Sequence, residues 1–149
     1  MKMNSVSKWL SLTVCMVLIA AMALSMSGCN DLPEEQNTKP TVFVDGQTLG
    51  EGATAFTLEV IDLDGSTATA TVKTDKETVG EALQELGVLE GEQGAFGLYI
   101  KAVNGIPYDY ETDGAYWAFY IGGEYALTGV DTTNIAEGTT YTLKAEKAE

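Results

Sequence analysis

The residues of this chain that could do chemistry crowd into one stretch, DYETDG at 109–114 running into GAYWAFYIGGEY at 114–125. Asp109, Glu111 and Asp113 place carboxylates at alternate positions before Gly114. That is the first half of a calcium loop, in which every second residue around a turn offers an oxygen. Where such a loop closes with a bidentate glutamate, this sequence has Tyr120 in a strand-like run. A solvated acidic loop is therefore the simpler reading, and no metal is expected. The second stretch is aromatic. Tyr116, Tyr120 and Tyr125, with Tyr108 and Tyr110 upstream, carry rings that bury area at low entropic cost and keep a hydroxyl for hydrogen bonding. With Asn104 and the backbone of Gly122 and Gly123, these five tyrosines could make a platform for a flat, partly apolar ligand. The loops after Asn104 and Ile121 would form its lips. The same rings could equally decorate the open side of a sheet.

Catalysis finds little material. The chain has no His, its cationic residues are all Lys, and its two cysteines are Cys15 and Cys29. Nucleophile–base pairs of the serine or cysteine type are thus out of reach. Carboxylate pairs could serve glycoside hydrolysis, but among 22 acidic residues a pair carries no meaning without geometry. The expectation is a protein that is not an enzyme and uses no cofactor.

The ends place the domain. Lys2 and Lys8 precede an uncharged run from Trp9 to Asn30, the pattern of a secretory leader. The run ends in SMSGC, which resembles a bacterial lipoprotein box, with Met26 standing where Leu is usual. Cys29 is then the lipidated residue and 1–28 the signal peptide. An uncleaved membrane anchor is the alternative, because about 20 apolar residues can span a bilayer. Either way the protein is expected outside the cytoplasm, held at the bacterial membrane through its N-terminus alone. Residues 29–40, polar and containing two prolines, read as a flexible tether, and 41–149 as one domain. Six lysines against 22 acidic residues leave the mature chain at a formal charge of −16. Such a balance lacks the basic footprint that nucleic acid needs and repels an anionic membrane surface.

The elements that must position the tyrosines are mainly strands. FTLEVIDL and STATATV flank Asp64-Gly65, a hairpin signal. TVGEALQELG, at about 77–87, has Val79, Ala82, Leu83 and Leu86 at helical spacing. Thr78 and Glu81 form a capping box, and Gly87 is the stop. LYIKAV, AYWAFYI and TYTLKAE supply further strands. The predicted fold is α+β and β-grasp-like: a mixed sheet of hairpins crossed by one helix. Alternation puts Trp117, Phe119 and Ile121 on the helix side and Tyr116, Ala118 and Tyr120 on the other.

At this point three segments, TVGEAL (78–83), YIKAVNGI (99–106) and YWAFYIGGEYA (116–126), resemble a bacterial surface family. That family is a domain of unknown function likened to the C-terminal domain of transcobalamin, in the soluble-ligand-binding β-grasp group. The resemblance runs from about Thr57 to Glu146. It implies a surface lipoprotein that binds a small or medium soluble ligand, with a corrinoid as the first candidate. In transcobalamin-type proteins the ligand lies between this small domain and a large helical one, which the present chain lacks. With no His to ligate cobalt, a corrinoid would be held by shape and polar contacts. The competing class is a structural or adhesive module whose tyrosine face meets a protein or glycan.

Overall fold

The computed structural model describes residues 41–149, so the leader, Cys29 and the tether lie outside the described residues. Nine strands and one helix follow in the order β1 (Gln47–Leu49), β2 (Thr54–Ile61), β3 (Thr67–Thr74), α1 (Val79–Glu85), β4 (Leu89–Gly94), β5 (Gly97–Val103), β6 (Ile106–Pro107), β7 (Ala115–Ile121), β8 (Glu124–Tyr125) and β9 (Thr140–Lys147). They build an α+β fold rich in β-structure. Its mixed six-stranded sheet has the order β1-β3-β2-β9-β7-β8, and a three-stranded sheet has the order β4-β5-β6.

The predicted hairpin forms as β2 and β3, antiparallel from Ile61↔Thr67 to Thr54↔Thr74. The last strand, β9, enters the middle of the sheet, parallel to β2 and antiparallel to β7. LYIKAV departs from expectation: β5 leaves this sheet and pairs with β4 and β6. Its tight turn to β6 at Asn104-Gly105 makes those two its nearest neighbours in sequence as well as in space.

Register explains the core. Pairing aligns Leu49, Val72, Phe56, Leu58, Val60, Leu143, Tyr141, Phe119 and Trp117 on one face, and all are buried. Val79, Ala82 and Leu83 of α1, with Val88, Leu89 and Val103, join the same cluster. Phe56 and Phe119 both pack on the Tyr141 ring, at 5.3 and 6.0 Å. The helix ends as its sequence dictates. Thr78 Oγ1 accepts from the Glu81 amide. Gly87, at φ +67°, donates to the Gln84 carbonyl while Val88 donates to that of Leu83. That pair of bonds closes the last turn and requires a left-handed residue where Gly stands.

Candidate functional site

The opposite face of the six-stranded sheet holds the tyrosines. Because β7 alternates, Tyr116 and Tyr120 stand beside Glu146 and Thr142 of β9, their direct cross-strand partners. Tyr125 is the partner of Tyr120 across the β7–β8 hairpin, whose two-residue turn is Gly122-Gly123. Both glycines have positive φ, +58° and +88°, as the turn type that suits a twisted hairpin demands.

One carboxylate organises the face. Glu146 accepts hydrogen bonds from the Tyr120 hydroxyl (2.6 Å), the Tyr116 hydroxyl (3.1 Å) and Lys144 Nζ (3.1 Å). The Lys144 ammonium also lies 5.8 Å from the centre of the Tyr120 ring. Next along, Thr142 Oγ1 donates to Glu59 at 2.9 Å. The Tyr120 and Tyr125 rings meet edge to face at 5.5 Å, and Tyr110 leans on Tyr116 at 6.4 Å. These donors hold the Glu146 carboxyl below its ordinary value, the Tyr120 hydroxyl first among them. In return, donating to that anion pushes the Tyr120 phenol up to about 12 and raises that of Tyr116.

Two hollows flank this row. One, of about 230 Å³, is lined by Glu59, Ile61, Tyr120, Gly123, Thr142 and Lys144. The other, of about 260 Å³, lies between β5 and β7, with Tyr116 and Tyr125 on its rim and Trp117 and Phe119 in its wall. Chemically the face offers ring surfaces, a fixed carboxylate, one ammonium and threonine hydroxyls. That set suits a flat, amphipathic ligand.

The structure thus brings together Tyr110, Tyr116, Tyr120, Tyr125, Gly122 and Gly123 of the predicted platform. Asn104 and Tyr108 stand apart from it. The Asn104 side chain brackets the backbone of Phe43, accepting from its amide at 2.7 Å and donating to its carbonyl at 3.3 Å. Tyr108 packs on Trp117 at 5.5 Å and donates to Asp62, a hydrogen bond that pushes the phenol up to about 12. Trp117 belongs to the core face, so Tyr108 lies on the wrong side of β7 for the platform. In the acidic loop the carboxylates hold their own backbone. Asp109 Oδ1 accepts from the amides of Glu111 and Thr112, and Asp113 Oδ2 accepts from the amide of Asp109. The carboxylates close a turn, and no described acidic cluster is placed to hold a metal. Sequence reasoning missed Glu59, Thr142, Lys144 and Glu146. The alternation of TYTLKAE carried the signal, since it puts the last three on one side of β9.

Residues 76–147 match the profile of a family described as a domain of unknown function, DUF4430. A solved protein from Ruminococcus gnavus ATCC 29149, provisionally called a metal-binding protein, is similar over 65% of this chain and 100% of its own. The two are 27% identical, with a TM-score of 0.61. Haptocorrin, solved in complex with Cbi, is 17% identical over 64% of this chain, with a TM-score of 0.51, a likeness of fold alone. The match spans 25% of the haptocorrin chain. No curated protein matches the sequence.

Proposed function

We propose that this chain is an extracytoplasmic lipoprotein, anchored through Cys29, whose β-grasp domain captures a soluble, flat, amphipathic ligand on the Tyr116–Tyr120–Tyr125 face without catalysis. The observation that carries the reading is the Glu146 carboxylate, which fixes two tyrosine hydroxyls and one lysine at once. Rings held by a shared acceptor lose less freedom when a ligand lands on them, and that lowers the cost of binding. The likeness of fold to haptocorrin, which was solved with Cbi, makes a corrinoid the first ligand to try.

Size sets a condition on that choice. The hollow beside Tyr120 holds about 230 Å³, under the ~300–1,000 Å³ usual for enclosed ligand sites. A corrinoid would overspill it and lie with one side open. Tight capture then requires a second wall from another chain, whereas a smaller aromatic ligand needs none.

The test is calorimetric titration of the chain from Asn30 with cyanocobalamin and with cobinamide, repeated on the variant Tyr116→Ala/Tyr120→Ala. Binding by the parent and loss of it in a folded double variant supports the reading. Binding that survives the double substitution places the ligand elsewhere. Silence from both corrinoids removes the corrinoid and leaves a smaller ligand for the face.

A further inference from the structure

The hollow between β5 and β7 differs chemically from its neighbour. Leu98, Ile100, Phe119, Ala126 and Val130 line it, and no charged side chain does, in a chain with 22 acidic residues. The hollow beside Tyr120 carries Glu59 and Lys144 and can meet a charged group; an uncharged lining disfavours one. Two residues of this lining keep hydrogen-bonding capacity that the protein leaves unused. Trp117 is the first. Its indole Nε1 is buried, and no atom of the described residues accepts from it. Nearly every buried N–H of a folded protein finds an acceptor. Neither the hollow beside Tyr120 nor a smaller one between Asp62 and Asn104 touches Trp117. Of the three, the β5–β7 hollow is the one through which an outside acceptor reaches the indole.

Thr128 is the second. The Thr133 hydroxyl donates to the Gly129 carbonyl at 2.8 Å. A hydroxyl has one proton, so in the 2.9 Å contact between Thr128 Oγ1 and Thr133 Oγ1 the donor is Thr128. That bond spends the Thr128 proton and leaves its oxygen free to accept. The lining thus offers one donor and one acceptor among apolar walls. A primary carboxamide answers both, accepting through its carbonyl and donating through its amino group. Size fixes what carries it. A cavity of about 150 Å³ takes benzene. The hollow here, of about 260 Å³, therefore admits one ring with a small substituent. A carboxylate in place of the amide brings no donor for Thr128 and meets a chain at −14.

We propose that the hollow between β5 and β7 is a second binding site, which takes a neutral aromatic carboxamide of a single ring. The carbonyl accepts from Trp117 Nε1, the amino group donates to Thr128 Oγ1, and the ring lies among Leu98, Ile100 and Phe119. Tyr116 and Tyr125 border this hollow as well as the tyrosine face, but the site stands whether or not that face binds a ligand.

The test uses the full chain, isotope-labelled and in detergent, with benzamide as the probe. Nuclear magnetic resonance resolves the indole N–H signals of Trp9 and Trp117, and Trp117→Phe identifies the second. Benzamide should move the Trp117 signal downfield to saturation and leave that of Trp9 in place. Benzoate should bind at least about tenfold more weakly. Thr128→Val should weaken benzamide by about three- to tenfold, the worth of one hydrogen bond, and Thr128→Ser should restore it. Thr128 is exposed, so both variants fold, and their titrations with cobinamide should match the parent's. An unmoved Trp117 signal, equal binding of benzoate, or full affinity in Thr128→Val overturns the proposal. So does loss of cobinamide binding in Thr128→Val, which would make the two sites one.

Discussion

Glu146 is the residue on which the tyrosine face turns. Its folded carboxyl is held below the ordinary 4.5, so its contribution to stability is complete above that value and fades as the pH falls through the folded one. Tyr120 runs the other way. With its phenol raised from 10.0 to about 12, its contribution is complete below pH 10 and is lost as the pH rises towards 12. Glu146→Gln keeps an acceptor but removes the charge. Tyrosinate absorbance during an alkaline titration should then show Tyr120 ionising nearer 10, while the circular dichroism at neutral pH stays that of the parent. An unchanged midpoint would mean that burial, not the anion, holds the phenol. Tyr116→Ala/Tyr120→Ala should also fold, because both rings stand off the core face, and should lose ligand binding. At this scale the sequence showed which residues could meet a ligand and concealed which were already engaged. Asn104 is spent on Phe43, 61 positions away, and Tyr108 on Asp62, 46 positions away. Neither partnership has a local signature.

At the scale of elements, whatever depended on near neighbours was legible. The β2–β3 hairpin follows from Asp64-Gly65, the limits of α1 from Thr78 and Gly87, and the two sides of β7 from strict alternation. Strand order was not legible, because β9 reaches the sheet centre only by meeting β2, some eighty residues earlier in the chain. The departure of β5 to its own sheet was hidden for the same reason. Two substitutions in one stretch separate packing from turn geometry. Trp117 is 6% exposed within the core cluster, so Trp117→Ala should cost about 3–5 kcal/mol in urea unfolding. A small loss would mean that the faces of β7 are inverted. Gly122→Ala meets no atom within 4 Å at the added methyl and suffers only from its φ of +58°. It should cost about 1–2 kcal/mol. Asn, which tolerates the left-handed region, should recover much of that loss at the same position. Equal costs for Ala and Asn would show that something besides the backbone angle holds the turn.

For the whole molecule, charge opposes the exposed apolar side chains. At neutral pH the chain carries −14 with 22 acidic residues and no His, so its charge changes little until the carboxylates titrate at about pH 4. Repulsion between copies then vanishes while Phe96, Leu127, Tyr99 and Tyr125 stay exposed. Exposed apolar side chains are points of contact once charge no longer keeps copies apart. Light scattering on the chain from Asn30 should therefore report a monomer at pH 7 in low salt and self-association as the pH approaches 4. Phe96→Asp/Leu127→Asp should suppress that association while the fold persists, because it replaces two fully exposed apolar side chains with polar ones. The tyrosine face offers a competing route, since loss of the Glu146 charge at low pH weakens the bonds that fix Tyr116 and Tyr120. If association proceeds undiminished in the Asp variant but fails in Tyr116→Ala/Tyr120→Ala, the adhesive surface is the tyrosine face and not the Phe96 and Leu127 side chains.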